Sequence, residues 1–436
     1  MTDCLKLVQF THRMLAKLGR GGSLPGEIAL RLDPHFIEKF KMPEIVVLVT
    51  GTNGKTTTSN LIAESLRAAG LEVINNRRGD NLNVGIATLL ATNSDEKYQV
   101  HGQAAVIEVD ELTLYRQFRN LHPTHLVVTN FFRDQLDRAG EMETTIRKIQ
   151  EITSDFTGDL ILNGDDPNTL RIADTAKKAK IHTFSVGRNQ MSKEHTNEAS
   201  EGKFCPRCGT PLEYEYYQYS HIGRFRCPKD GFGEIDPEIE VSNINYDTES
   251  FTVDGVDYHS FINTIYAVYN CASVLTVMKV LSLDPKAADH VFRTFVMNEG
   301  RNEVFSLSKP CVINLIKNPT GANEVMKYII AQPGEKNICI LLNDNDQDGH
   351  DVSWIWDAHF ERLNVPEVKH IVCSGLRAYD MALRLKYEGL EDRILVKEDA
   401  KEAIHWLNEQ KMNSFVISTY TALHPTRAIL KKEASR

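Results

Sequence analysis

Three short stretches of this 436-residue chain hold side chains whose types and spacing could do chemistry. The first is Gly51-Thr52-Asn53-Gly54-Lys55-Thr56-Thr57. An apolar run from Ile45 reads as a strand before it, and a helical pattern runs to about Ala69 after it. Strand, glycine-rich turn and helix in that order make a phosphate cradle. Glycines let backbone N–H groups approach an anion, and the helix N-terminus adds partial positive charge. Lys55 is placed to reach the β- and γ-phosphates of a nucleotide, and Thr56 to set its hydroxyl on Mg²⁺. The turn is shorter than the usual phosphate loop, with Gly51 only three positions before Gly54. A glycine-rich turn without a ligand is the bland alternative; the ordered set of strand, glycines, lysine and threonine argues against it.

The second stretch is a pair of knuckles. Cys205-Pro206-Arg207-Cys208-Gly209 is answered, after the eighteen residues that separate Cys208 from Cys227, by Cys227-Pro228-Lys229-Asp230-Gly231. Two such pairs at ribbon spacing suit tetrahedral zinc, and a carboxylate can replace the fourth thiolate. Cys205, Cys208, Cys227 and Asp230 are therefore expected to hold a structural Zn²⁺, against the alternative of a ribbon held by packing alone. Tyr214, Tyr216, Tyr217 and Tyr219 lie between the knuckles and are expected to form the ribbon's hairpin. The third stretch, Asn343 to Asp357, follows an apolar strand and carries Asp344, Asp346, Asp348, Asp351 and Asp357. Functional groups collect at such a place in an open α/β sheet. It lacks the spacing and terminal Glu of an EF-hand, and a solvated acidic loop is the plain alternative.

These stretches need a scaffold, and the apolar runs supply one. Strands are expected at Ile45–Val49, Ala104–Val109, His125–Thr129 and Leu160–Leu162, with helical pattern between them. That alternation predicts an open parallel α/β sheet. Residues 1–43 read as a helical lead-in with a Gly21-Gly22 turn, 44–300 as a central domain interrupted by the ribbon at about 203–235, and 301–436 as a smaller α/β domain. Helix is expected again over Ser260–Leu283. The last domain has strands at Val312–Leu315, Ile338–Leu342, His370–Cys373 and Ser414–Ser418. The net charge of −9 argues against a nucleic-acid partner. The scattered remaining cysteines and the absence of a signal-like or membrane-spanning run predict a reduced, cytoplasmic protein.

Gly-Thr-Asn-Gly-Lys-Thr-Thr resembles the ATP loop of the Mur ligases and folylpolyglutamate synthases. The resemblance implies ATP-dependent activation of a carboxylate as an acyl phosphate, which an amine then attacks. It continues at Glu108, where the family has a Mg²⁺-binding glutamate at a strand end. It also continues at Asn163-Gly164-Asp165-Asp166-Pro167, and at Asn270 and Arg301, where relatives contact nucleotide. Two departures put the family's second metal site in doubt: Gln135 replaces a histidine, and Gln150 falls where a carbamylated lysine is usual.

The ribbon and the aspartate-rich loop are similar to one branch of the family, the MurT-type subunits of lipid II isoglutaminyl synthase. That resemblance implies amidation of the D-glutamate α-carboxylate in the lipid II stem peptide, at the inner face of the membrane. The ammonia would come from a GatD-type glutaminase partner. It also implies that Asp351 completes the partner's Cys-His triad, with Asp348 as the nearest competitor. The chain itself lacks a Gly-x-Cys-x-Gly elbow; Cys373 follows an apolar strand and is expected in the core. The rivals are an ordinary Mur or folylpolyglutamate-type ligase that adds an amino acid, and a non-enzymatic zinc-ribbon protein that uses nucleotide as a switch.

Overall fold

Among the described residues, eleven strands build the sheets of the first part of the chain: β1 (Ile45–Thr50), β2 (Val73–Asn75), β3 (Ala104–Glu108), β4 (His125–Val128), β5 (Asp159–Asn163), β6 (Lys180–Val186), β7 (Glu213–Tyr219), β8 (Ile222–Arg226), β9 (Ile239–Asn245), β10 (Ser250–Val253) and β11 (Val256–His259). β7 and β8 form a separate two-stranded sheet, with a bridge from Tyr217 to Lys193; the others form one sheet in the order β11-β10-β9-β6-β5-β4-β1-β3-β2. The computed structural model describes residues 4–16, 23–133, 142–196, 198, 201–297 and 300–435. Gln135 and the Gly21-Gly22 turn lie outside the described residues. The chain forms two units, Met1–Phe131 with Glu143–Val296, and Phe132–Met142 with Met297–Arg436.

In the large sheet of the first unit, β2, β3, β1, β4, β5, β6 and β9 run parallel. A parallel sheet is covered on both faces, so its strands read as unbroken apolar runs. β1 (Ile-Val-Val-Leu-Val-Thr) does so and is buried from Val46 onward. Truncating Leu48, which is fully buried, to alanine should cost about 2–5 kcal/mol. The sheet is mixed rather than wholly parallel, because β10 and β11 fold back antiparallel on β9. Asp254 and Gly255 join β10 to β11 with φ of 50° and 76°, the two left-handed positions of a type I′ hairpin.

β1 lies between β3 and β4, so the strand order reverses beside it. The crevice past the carboxyl ends of those strands is where open α/β sheets bind ligands. The helix Lys55–Ala68 starts there, and the expected helix over Ser260–Leu283 is Ile265–Val280.

The second unit contains β12 (Glu303–Ser306), β13 (Pro310–Leu315), β14 (Lys336–Leu341), β15 (Val368–Ser374), β16 (Ile394–Val396) and β17 (Asn413–Ser418). Their order is β12-β13-β17-β14-β15-β16, parallel except for the β12–β13 hairpin. Cys373 is fully buried beside Ile338, Ile340, Ile371 and Phe360, a core residue as expected. No described helix is long and apolar enough to cross a membrane.

Candidate functional site

The helix after β1 begins at Lys55, within the loop sequence itself. Lys55, Thr56 and Thr57 are thus its first turn, and Gly54 is the N-cap with φ of 84°. A side chain at Gly54 would place its Cβ 2.8 Å from Asn270 Oδ1, so only glycine fits this left-handed position. Asn270, from the helix Ile265–Val280, accepts a hydrogen bond from Thr58 Oγ1 at 3.2 Å. The structure therefore brings Asn270 against the loop.

The other wall of the loop comes from Thr129 and Asn130 after β4, to which the sequence analysis gave no role. Asn130 holds the loop backbone at three points: its carbonyl accepts Thr52 N–H at 2.8 Å, its Oδ1 accepts Asn53 N–H at 2.9 Å, and its Nδ2 donates to Asn53 O at 3.0 Å. Thr129 Oγ1 donates to the same carbonyl at 2.8 Å. Lys55 Nζ folds over the loop, donating to the Gly51 and Thr52 carbonyls, and pairs with Glu111 at 3.2 Å. Glu111 is the second residue the sequence reading passed over, although it stands three positions after Glu108.

Glu108 ends β3 and is buried. Its Oε1 accepts from Asn81 Nδ2 at 2.7 Å, while Oε2 is buried and accepts no hydrogen bond. A buried carboxylate oxygen without a donor is costly unless a cation or proton serves it. Oε2 and Thr56 Oγ1 face a common space at Gly79: a Cβ there would lie 3.2 Å from each. Gly79 has φ of 80°, so it both permits the turn and keeps that space clear. Hard oxygen donors around a small opening suit Mg²⁺.

Past β5, Asn163 Nδ2 donates to Thr129 O at 3.1 Å, tying this turn to the loop's support. Asp165 is fully buried and accepts from Tyr269 OH at 2.7 Å and Val186 N–H at 2.8 Å. Burial raises its carboxyl to about 6, more than those donors lower it. Gln150 donates to Arg171 O at 3.1 Å. Arg301 precedes β12 in the second unit, where its neighbour Glu303 pairs with Arg427 at 2.6 Å.

The two knuckles fold alike. Cys205 N–H donates to Thr210 O and Gly209 N–H to Cys205 O; Cys227 N–H donates to Phe232 O and Gly231 N–H to Cys227 O. Cys205, Cys208, Cys227 and Asp230 each present a ligand atom within 4.8 Å of the others. Three sulfurs and a carboxylate at such separations fit one tetrahedral zinc. The tyrosine run forms β7, paired with β8 as the ribbon hairpin.

In the second unit the aspartate-rich loop separates its two candidates. Asp348 is buried; it accepts Thr421 N–H at 2.8 Å and the Thr421 hydroxyl. Asp351 is exposed and accepts Ser353 N–H at 2.8 Å. The Ser353 hydroxyl and N–H hold its carboxyl below the usual range, so it is an anion facing solvent.

The sheet order, the loop at its switch point and the second α/β unit define the Mur ligase class. The Mur ligase middle domain matches residues 49–226, and the MurT ligase C-terminal domain matches 315–423. Among solved structures the chain resembles a pseudomurein peptide ligase type C from Methanothermus fervidus (TM-score 0.69, 20% identity, 91% of this chain and 80% of that one). It also resembles MurF from Acinetobacter baumannii (0.65, 14%, 95% and 81%). Among sequences it is 34% identical to the lipid II isoglutaminyl synthase (glutamine-hydrolyzing) subunit MurT of Staphylococcus aureus strain COL, over 96% of this chain and 94% of that protein. For the same subunit of Streptococcus pneumoniae strain ATCC BAA-255 / R6 the figures are 32%, 96% and 94%. The chain belongs to the MurT family of Mur ligases.

Proposed function

We propose that this chain is the ATP-dependent subunit of a lipid II isoglutaminyl synthase, amidating the α-carboxylate of D-glutamate in the lipid II stem peptide to D-isoglutamine. The observation that carries this reading is identity to MurT subunits across both units of the chain.

Gly51 to Thr57 cradle the phosphates of ATP with backbone N–H groups and the helix N-terminus, while Asn270 contacts the nucleotide. Thr56 and Glu108 would hold Mg²⁺, which neutralises phosphate charge when bound. Lys55, kept in place by Glu111, stabilises charge as the γ-phosphoryl group passes to the glutamate carboxylate. Ammonia then attacks the acyl carbon and phosphate leaves. The ammonia comes from glutamine hydrolysed by a GatD-type glutaminase subunit, whose histidine is oriented by Asp351. Cys205, Cys208, Cys227 and Asp230 would hold a structural zinc. The protein meets its lipid-linked substrate at the cytoplasmic membrane face.

The test is ADP release and isoglutamine formation with lipid II, supplied with ammonium or glutamine, with and without the glutaminase. Ammonium should suffice alone, and glutamine should serve only with the partner. No lipid II-dependent ADP release with either nitrogen source would overturn the reading.

A further inference from the structure

The ribbon is an insert in the central sheet unit, but its hairpin does not stand off from the unit. The turn between β7 and β8 enters the core: His221 is fully buried, as is Asp166. His221 Nε2 lies 3.3 Å from Asp166 Oδ1, packed against it without hydrogen-bond alignment, and that oxygen accepts Asn168 N–H at 2.8 Å. The other oxygen of Asp166 accepts Phe131 N–H at 2.8 Å. Phe131 follows Asn130, which holds Thr52 and Asn53 of the phosphate loop at the three points described above.

A second line of contacts reaches the loop from its other side. Gly223 N–H, at the start of β8, donates to Asp165 O at 3.0 Å. Asp165 accepts from Tyr269 OH, and Tyr219 of β7 meets the Tyr269 ring edge-on at 5.9 Å. Tyr269 adjoins Asn270, which abuts Gly54 and accepts from Thr58. The base of the same hairpin carries the knuckles, where Cys205 and Cys227 pack with Phe225, Phe232 and Leu170.

We propose that the metal-binding insert is a brace for the phosphate loop, and that His221 is a positioning residue which fixes the loop through Asp166 and Asn130. Metal at the knuckles then sets nucleotide affinity without touching nucleotide. The links are packed contacts, hydrogen bonds and adjacent residues of the chain, mostly buried, so displacing the hairpin tip shifts both walls of the loop together. The inference rests on the loop being the nucleotide site.

The experiment is a titration of the full chain with Mg·ADP, read by calorimetry, with zinc content measured on the same samples. His221→Ala should raise the Kd by about tenfold with zinc content unchanged and the KM for ammonium unmoved. His221→Gln, which keeps a polar side chain of similar reach packed against Asp166, should restore most of the affinity. Stripping zinc from the unmodified chain should weaken Mg·ADP binding in the same direction. Unchanged affinity in His221→Ala, with the unmodified chain binding normally, overturns the brace alone. If His221→Ala does not fold, Tyr269→Phe tests the second line by removing one hydroxyl. It should weaken binding by about threefold, and an unaltered Kd overturns the proposal. An unmodified chain that binds no nucleotide overturns the loop assignment, and the brace with it.

Discussion

Asp230 stands in the second knuckle where Cys208 stands in the first. Each is three residues past a cysteine and is followed by a glycine, with φ of 72° at Gly209 and 71° at Gly231. Phe232 N–H donates to Asp230 Oδ1 at 3.0 Å, so the carboxylate is aimed as the thiol is aimed.

Asp230→Cys should therefore bind zinc more tightly by at least about tenfold, because thiolate is the softer ligand and the backbone already suits it. Chelator competition would show it, and unchanged binding in this variant would remove Asp230 from the ligand set. Cys205→Ser should lose zinc; full zinc content with unchanged melting would mean the ribbon is held by packing.

Lys55→Ala should remove amidation with ammonium as well as with glutamine, since both need phosphoryl transfer. Loss of one such charge contact costs about 10²–10³ in kcat. Near-normal ammonium-dependent turnover would sink the role given to Lys55.

Gly79→Ala places a methyl carbon 3.2 Å from both Thr56 Oγ1 and Glu108 Oε2, on a left-handed backbone. The Mg²⁺ concentration needed for half-maximal activity should rise by about tenfold or more. An unaltered Mg²⁺ dependence in the folded variant would place the cation elsewhere.

Asp351→Asn should abolish glutamine-dependent amidation and spare that with ammonium, because an amide cannot stabilise a cationic histidine. The loss in glutaminase turnover could reach about 10⁴-fold. Asp348→Asn should instead lower thermal stability through its Thr421 contacts. Equal loss of both nitrogen sources in Asp351→Asn would put that residue in the ligase site.

Asp165 is expected to make the fold sensitive to pH. Its folded value is about 6, against an ordinary 3.8. Between these values the folded chain holds a proton that the unfolded chain has released, so this contribution is full below 3.8 and is lost as pH rises through about 6. Asp165→Asn keeps an acceptor for Tyr269 and Val186 without the charge. Its melting temperature relative to the unmodified chain should fall as pH drops from about 8 to about 4. A difference independent of pH would show that Asp165 does not titrate in this range.

What was legible in the sequence is what lies close together along it. The phosphate loop, Glu108 and the knuckles are contiguous strings, and the structure assembles each where its neighbours predict. Asn130, Gly79 and His221 gain their roles from meetings between strand ends and an inserted hairpin, which no local pattern announces. Asp348 and Asp351 could not be told apart until Thr421, 73 positions away, was seen to hold the first. β2, with three residues, is too short for alternation to register. Asp254-Gly255 between apolar alternations was a readable hairpin signal, and it marks where the parallel sheet becomes mixed. The helix starts at Lys55 because Gly54 can cap it left-handed, a fact of geometry rather than of composition.

The pinning of Asp348 by Thr421 has a consequence for association. Asn345 also donates to Thr421, at 2.8 Å, and His350 Nδ1 lies 2.8 Å from Asp344 O, so the loop leading to Asp351 is ordered by its own unit. Its conformational entropy is surrendered when the chain folds, not when a second protein arrives. A glutaminase docking there would meet a carboxylate already in position. Encounter would then proceed as between rigid bodies, without a slow rearrangement of the Asp351 loop to limit the on-rate.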